Sequence, residues 1–434
     1  MRSPLIRVAV RTGTLSTSIN VYQSIYSVDV HSSQTVATTG RADIGAGVLT
    51  TVALVSGLSP LATDTYLATF PALGRELGVS SSAVQITLTT YMLGFGVGQY
   101  VIGAVSDRLG RRYLLIGGTS LAAAASAGAA LSPTIQLLWL TRFLQGVGAA
   151  AGAVLARAVV GDTSSGRRLA QLLSLMMMVQ GVLPVAAPLL GAFLAEPLGW
   201  RGIMWLLAGI SMVLLVALVI VVPESLPAER RVRTPIARVI AAPLRVLSVG
   251  QFGAFSLAIM AGFGVLFAYI SSSSFILQDV FGLTEIEYGL VFAINAAVMI
   301  IGSALNSRLV ITHLPMRVVR AALVVMMAGC AAALIDALAA PRLVVFVAAV
   351  SLASAGLSAL LPNLTTQALS ALPAERQGAG SAVIGTGQAV SAAAVAPLVG
   401  LGTSSLPTAI VMTSCAIVAG GAALVGSGAS EPRH

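Results

Sequence analysis

The sequence contains no lysine, so all 24 of its Lys and Arg positions are arginine. The phosphate-binding loop of ATP-hydrolysing proteins needs a Gly-Lys pair, so this absence excludes a Walker A site. Charged residues make up only 9% of the 434 residues and aromatic residues only 5%, against 57% hydrophobic residues. Such a composition excludes an ordinary soluble globular protein. The mean hydropathy of +0.94 is typical of a helical protein that crosses a membrane many times.

Cysteine and histidine are also scarce, which limits the chemistry that the chain can perform. Cys330 and Cys415 both lie inside apolar segments, where a cysteine usually acts as a small buried hydrophobe. His31, His313 and His434 fall outside those segments, so a histidine relay within the membrane is excluded. No nucleophile–base cluster or metal-ligand spacing is visible. The sequence therefore predicts neither an enzyme nor a protein that needs a metal or a cofactor.

About twelve apolar segments have roughly the 20-residue length that a bilayer requires. They predict an all-α membrane protein with twelve transmembrane helices in two six-helix, pseudo-symmetric halves. The predicted spans are 47–70, 83–105, 113–131, 135–160, 169–195, 201–222, 248–272, 286–308, 316–339, 341–361, 378–401 and 406–427. The predicted domains are a first half (46–222), a linker (223–247), a second half (248–427) and a C-terminal tail (428–434). Residues 1–45 are interpreted either as a disordered cytoplasmic tail or as a misassigned translation start.

The arginines are concentrated in alternate turns and in the linker, whereas the opposite turns hold few arginines and several carboxylates. Basic turns of membrane proteins stay in the cytoplasm. This pattern predicts a multi-pass protein of the bacterial cytoplasmic membrane with both termini in the cytoplasm. It also accounts for the net charge of +9 without a nucleic-acid partner.

An internal repeat supports two related halves. The pattern Gly103-x-x-x-Asp107 recurs as Gly302-x-x-x-Asn306, and Ala-Pro-Leu-Leu-Gly ending at Gly191 recurs as Ala-Pro-Leu-Val-Gly ending at Gly400. Both pairs keep their order, and each falls in the corresponding helix of its half, which indicates duplication.

Asp64 and Arg142 are the predicted proton-coupling residues. Asp64 is the only acidic residue deep within a predicted span of the first half, and a carboxylate costs a few kcal/mol there, so it tends to be functional. The alternative is a carboxylate that is merely solvated near the outer interface. Arg142 is the expected partner of Asp64, because a guanidinium cannot lose its proton and needs an anion, water or carbonyl groups around it.

Other polar and aromatic residues of the spans are candidate substrate contacts, with interhelical hydrogen bonding as the alternative role. The candidates are Tyr66, Tyr91, Gln145, Met177, Gln180, Asn295 and Gln388, with Gln278 and Asn363 as further possibilities. The fifth span carries the pattern Gly181-x-x-Pro184-x-x-x-Pro188-x-x-Gly191, which predicts a helix kink near the midplane.

The turn from Gly103 to Arg112 matches the loop signature Gly-x-x-x-Asp-Arg-x-Gly-Arg-Arg of the major facilitator superfamily at all ten positions. Further stretches resemble the bicyclomycin-resistance (Bcr/CflA) group of twelve-span drug:proton antiporters, among them Leu58 to Leu67 and Arg142-Phe-Leu-Gln145-Gly146. The resemblance implies that Asp64 matches the acid of the first helix and Arg142 the arginine of the fourth. It implies a cytoplasmic latch, holding the halves in the outward-facing state, formed by Gly103, Asp107, Arg108, Gly110, Arg111 and Arg112. One departure is Ala68-Thr69, where the group usually has Pro-Ala, and it predicts a less bent first helix.

The expected function is therefore proton-coupled efflux by alternating access, powered by the proton motive force and needing no cofactor. The expected substrate is a small amphipathic antibiotic, such as a chloramphenicol- or bicyclomycin-like compound, and the expected partners are protons and the lipid bilayer around a monomer. A proton-coupled transporter of an endogenous metabolite or nutrient, working as an exporter or as a symport importer, is the alternative. A channel or receptor is disfavoured, because no charge ring or filter loop is visible.

Overall fold

A computed structural model describes residues 45–231, 246–373, 376–401 and 404–428. The predicted tails and most of the predicted linker lie outside these ranges. Within them the chain folds into α-helices with a few short 3-10 and π turns. The helices are α1 Ala46–Ser56, α2 Leu58–Asp64, α3 Phe70–Leu77, α4 Ser81–Leu109, α5 Arg112–Ala130, α6 Ile135–Thr163, α7 Gly166–Val221, α8 Gly250–Phe275, α9 Glu285–Thr312, α10 Pro315–Ala339, α11 Leu343–Ser370, α12 Gln377–Val399 and α13 Leu406–Gly428.

The described helices account for the twelve predicted crossings. Ten helical segments of the described ranges are long and apolar enough to cross a membrane. One of these segments, Gln180–Val221, is interrupted at Gly199, whose φ of 59° leaves the helical region, and so it provides two crossings. The helix α4 is also long enough, at 29 residues, but its polar residues and glycines lower its hydropathy. These two additions bring ten to twelve and confirm the predicted all-α membrane fold.

The α-helical part of the first crossing is interrupted directly after Asp64. The expectation of a less bent first helix stays a prediction. The helix α2 ends at Asp64, and a 3-10 turn, Leu67–Thr69, separates it from α3. The Tyr66 carbonyl accepts from the Thr69 hydroxyl over 2.7 Å and from the Thr69 backbone N–H over 3.0 Å, so this turn supplies its own hydrogen bonds. Pro71 lies in the first turn of α3, where a missing N–H costs nothing. The chain therefore breaks here without a proline at position 68.

Glycines allow the helices of the first half to pack with their backbones in contact. A Cβ at Gly94 of α4 would overlap the Phe143 carbonyl of α6, and a Cβ at Gly146 of α6 would overlap the Tyr91 carbonyl of α4. This close approach sets the side chains of Tyr91 and Arg142 against each other.

Candidate functional site

A cavity of about 340 Å³ lies between the two halves. It is lined from the first half by α2, α4 and α7 and from the second half by α8, α9 and α12. Its lining residues are Ser59, Pro60, Thr63, Asp64, Met92, Phe95, Gln99, Pro184, Phe263, Leu266, Phe267, Tyr269, Ile270, Phe292, Asn295, Ala296, Met299, Gly385, Gln388 and Ala389. Pockets of this size and apolar character hold small organic molecules.

The polar groups of the cavity are few and chemically distinct. Among the described lining residues, Asp64 carries the only charged side chain, and just 8% of its surface is exposed. Amide side chains come from Gln99, Asn295 and Gln388. On the second-half wall, the rings of Tyr269 and Phe292 stack with their centroids 5.7 Å apart. The cavity thus combines an aromatic wall and hydrogen-bonding amides with one carboxylate.

Only some of the predicted substrate contacts line this cavity. Asn295 and Gln388 do, together with Pro184 of the predicted kink. Tyr66, Tyr91 and Gln145 are buried behind it, and in this conformation they have no direct access to a solute in it. The amide of Gln180 instead donates to the Ser56 hydroxyl over 3.4 Å. The side chain of Met177 lies outside the described part of the structure.

Arg142 is fully buried and lies between two aromatic rings. Its guanidinium carbon is 4.4 Å from the ring centroid of Tyr66 and 4.4 Å from that of Tyr91. The Nη1 group donates to the Ala62 carbonyl over 3.0 Å and also to Oε1 of Gln145. Gln145 donates in turn to the Ser126 hydroxyl over 2.7 Å. Arg142 is therefore held by rings, a carbonyl and an amide.

The expected pairing of Arg142 with Asp64 is not present. The ion pairs among the described residues include none between these two side chains. Helical spacing predicts which face of α6 carries Arg142, but not which neighbour fills the space in front of it. A cation–π contact with a desolvated cation contributes about 2 kcal/mol, so two rings are a substantial substitute for an anion. The assignment of both residues to proton coupling stays a prediction.

The predicted kink residues have different surroundings. An added Cβ at Gly191 would overlap the carbonyl oxygen of Thr65, the residue that follows α2, whereas nothing lies within 4 Å of such an atom at Gly181. Gly191 thus lets α7 pack directly against the break in the first crossing. The kink itself stays a prediction, because within α7 only Gly199 leaves the helical region.

The variant Gly191→Ala should be markedly less stable than Gly181→Ala. A methyl group at position 191 must displace the backbone beside Asp64, and overpacking of this kind costs about 1–3 kcal/mol. Thermal unfolding of the detergent-purified variants should show a melting temperature several degrees lower for Gly191→Ala. The Gly181→Ala control has open space and a better helix former, so it should unfold at or above the wild-type temperature. Equal melting temperatures for the two variants would contradict the close approach.

Arg111 is the centre of the arginine-rich turn. Its Nη2 lies 2.6 Å from an Asp107 oxygen, its Nε 3.0 Å from an Asp162 oxygen and its Nη1 2.5 Å from the Ser106 hydroxyl. The backbone N–H groups of Arg111 and Arg112 donate to the two oxygens of Glu224 over 2.9 and 3.3 Å. We call Asp107, Arg111, Asp162 and Glu224 the Arg111 network.

The Arg111 network ties together α4, α5, the end of α6 and the segment that follows α7. Gly110 has a φ of 96°, and a side chain there would collide with the Glu224 carboxylate, so glycine is required. Gly103 has only an ordinary neighbour, Val154 at 3.8 Å. Arg108 is exposed, and no ion pair joins it to a described residue. The polar contacts described for this network stay within the first half and the segment that leaves it, and its role as a latch between the halves stays a prediction.

Several contacts join the halves at the end opposite the arginine-rich turns. Gln278 donates to the Ala68 carbonyl over 2.9 Å, and Arg75 lies 3.7 Å from Asp279. The Ser81 hydroxyl lies 3.5 Å from the Gly400 carbonyl. Gln278 therefore has an interhelical role in this conformation. Asn363 has such a role too, because it donates to Asn306 within the second half over 2.7 Å.

The arrangement of helices and cavity can be compared with known proteins. A family model described as Major Facilitator Superfamily matches residues 52–397, well over half of the chain. The chain belongs to the major facilitator superfamily. It is therefore a multi-pass membrane protein of a transporter superfamily, and this membership agrees with the expectation that it is not an enzyme. Membership agrees with the loop signature between Gly103 and Arg112.

Curated relatives of this superfamily match part of the chain. It is 37% identical over 253 residues to the uncharacterised MFS-type transporter YdgK of Bacillus subtilis, covering 58% of this chain and 63% of that protein. It is 31% identical over 254 residues to a chloramphenicol resistance protein of Pseudomonas aeruginosa, covering 58% and 59%. A bicyclomycin resistance protein homolog of Haemophilus influenzae is 26% identical over 260 residues, covering 60% and 65%. The matched stretch spans less than two thirds of each relative.

Solved transporter structures share the fold. The chain aligns with a bacterial homologue of the human lysosomal transporter Spinster, in an inward-facing and occupied conformation, at a TM-score of 0.69 and 16% identity. This alignment covers 88% of the chain and 96% of the homologue. The xylose transporter XylE of Escherichia coli, partially occluded and inward open, gives a TM-score of 0.64 at 15% identity, covering 89% and 100%. At such identities the likeness shows the fold alone.

Proposed function

We propose that the chain exports small, largely apolar drugs across the bacterial cytoplasmic membrane in exchange for protons. The supporting observation is the cavity between the halves, whose walls are mostly apolar and aromatic and whose only charged lining residue among those described is Asp64. Such walls suit an amphipathic solute, and one buried carboxylate can take up or release a proton. The names of two relatives, which refer to chloramphenicol and bicyclomycin resistance, support drugs of that kind. The proton motive force supplies the energy, and no cofactor takes part.

Exchange requires that proton and drug use the same cavity at different times. When the cavity faces outward, Asp64 takes up a proton; when it faces the cytoplasm, the drug enters and Asp64 releases the proton. Because the drug and the protonated carboxylate occupy one cavity, each lowers the affinity for the other, and that coupling lets the proton motive force drive export.

The same proposal gives the orientation of the protein in the membrane and its conformational state. Basic turns stay in the cytoplasm, so the Arg111 network marks the cytoplasmic side, and twelve crossings place both ends of the membrane domain there. The contacts of Gln278 and Arg75 then close the outer end of the cavity, which corresponds to an inward-facing state. One chain lines the cavity from both halves, so a monomer suffices for transport.

Proton movement in inside-out membrane vesicles tests the exchange. Vesicles from a host without its main drug exporters are acidified by respiration, and a fluorescent dye reports the internal pH. Adding chloramphenicol outside should release protons from the acidic interior of vesicles that contain the protein, and not from vesicles without it. Drug-driven acidification would instead indicate symport. If no drug in a panel of chloramphenicol- and bicyclomycin-like compounds caused proton release, drug export would be contradicted and transport of an endogenous metabolite favoured.

A further inference from the structure

Arg142 is a permanently charged side chain without a counter-anion. Its surface is 0% exposed, and its Nε and Nη2 groups have no hydrogen-bond partner among the described residues. Moving a cation out of water is strongly unfavourable unless other charges or dipoles replace the hydration shell. A guanidinium cannot escape this cost by losing its proton. The surrounding groups must therefore stabilise the charge.

The rings of Tyr66 and Tyr91 are the groups that meet the guanidinium. Both centroids lie 4.4 Å from its central carbon, well within the distance of about 6 Å over which a ring attracts a cation. Both hydroxyls are engaged elsewhere, Tyr66 with Thr87 over 2.6 Å and Tyr91 with the Ser59 hydroxyl over 3.2 Å. These hydrogen bonds hold the rings against the guanidinium.

We infer that the rings of Tyr66 and Tyr91 take the place of a counter-anion for Arg142, and that this cage lets Arg142 position the C-terminal end of α2, which carries Asp64. The two tyrosines are then positioning residues and not substrate contacts. The effect on transport rests on the proposed proton exchange, whereas the stabilisation of Arg142 does not.

The positioning acts through the free end of α2. The last carbonyls of a helix lack partners within it, and Ala62 is two residues before the final residue, Asp64. Nη1 of Arg142 donates to the Ala62 carbonyl over 3.0 Å and so satisfies one of them. Asp64 itself faces the cavity without an ion pair to Arg142. The cage thus fixes the end of α2 and leaves the Asp64 carboxylate available to the cavity.

Paired substitutions separate the ring face from the hydroxyl. Tyr91→Phe and Tyr66→Phe keep the ring, so each should retain proton exchange within about threefold of wild type. Tyr91→Leu and Tyr66→Leu remove the aromatic ring. Each should therefore reduce the rate of drug-driven proton exchange about tenfold or more and lower the melting temperature by several degrees. Phenylalanine variants as impaired as the leucine variants would overturn the cage and point to the hydroxyl bonds.

Charge compensation distinguishes the cage from simple packing. Oε1 of Gln145 already accepts from Arg142, so Gln145→Glu places a true anion at that atom. Adding Gln145→Glu to Tyr91→Leu should reverse at least half of the decrease in melting temperature that Tyr91→Leu causes. Tyr269→Leu removes a cavity ring that does not contact Arg142, and the same addition should not rescue it. Absence of rescue in Tyr91→Leu would overturn the inference. The melting temperature is measured without any drug, so the test of the cage does not depend on the outcome of the transport assay.

Discussion

Asp64→Asn should abolish drug-driven proton release from inside-out vesicles while drug binding persists. Asparagine has the shape of a protonated aspartate but cannot exchange a proton, and no other charged side chain is described in the cavity lining. We expect the proton signal to fall more than about tenfold, to the level of vesicles without the protein. Binding of a fluorescent drug to the purified variant should stay within a few-fold of wild type, because the apolar walls are unchanged.

Two further variants make this expectation specific to the carboxylate. Asp64→Glu keeps an acid at the end of α2 and should retain part of the exchange. Gln388→Leu changes a neutral polar group of the same cavity, so it should weaken drug binding while each drug still moves its proton. If Asp64→Asn released protons as wild type does, the proton would have to be carried elsewhere. The cavity would then bind the drug without taking part in coupling.

The position of Asp64 in the cavity could be anticipated because charge is rare within apolar spans. The free-energy cost of removing a carboxylate from water marks such a residue as functional, and the residues that surround it in the fold need not be known. The count of twelve crossings follows from the same principle, since length and hydropathy are properties of the local sequence. The interruption at Gly199 also lies between two predicted spans.

The surroundings of Arg142 could not be anticipated in the same way. Its neighbours Tyr66 and Tyr91 come from other parts of the chain, and the close packing of α4 on α6 at glycines such as Gly94 and Gly146 brings Tyr91 to Arg142. The expected ion pair assumed that opposite charges meet, but the guanidinium lies between the rings of Tyr66 and Tyr91 and makes no ion pair with Asp64. The break after α2 could not be anticipated either, because the contact of Gly191 with Thr65 joins residues far apart in the sequence.

Two of the three carboxylates of the Arg111 network were not predicted from the sequence. Asp162 and Glu224 lie 51 and 113 residues from Arg111 along the chain, so no local pattern links them. One signal was present: Glu224 is one of two carboxylates, with Glu229, in the first part of an arginine-rich linker. An acid in a basic segment is a candidate partner for a basic turn.

Arg111→Ala should lower the free energy of unfolding much more than Arg108→Ala does, although both arginines belong to the same loop signature. Arg111 is 8% exposed and serves two carboxylates, and removing one partner of a buried ion pair costs about 3–5 kcal/mol. Asp107 is exposed and Asp162 partly so, which places the expected loss toward the lower end of that range. The yield of folded protein on fluorescence-detected size exclusion should drop severalfold, together with the melting temperature. Arg108→Ala removes an exposed side chain and should change both quantities little.

A double-mutant cycle shows whether the loss of stability in Arg111→Ala comes from the unpaired Asp162 carboxylate. In Arg111→Ala the Asp162 carboxylate keeps its charge without its cation, so removing it as well should restore stability. The double variant Arg111→Ala/Asp162→Ala should therefore melt above the single Arg111→Ala variant, and the two effects should be far from additive. Additive effects would mean that Arg111 stabilises the turn mainly through Asp107 and Ser106 within α4. The arginine-rich turn would then be a local structure, and the contact with α6 incidental.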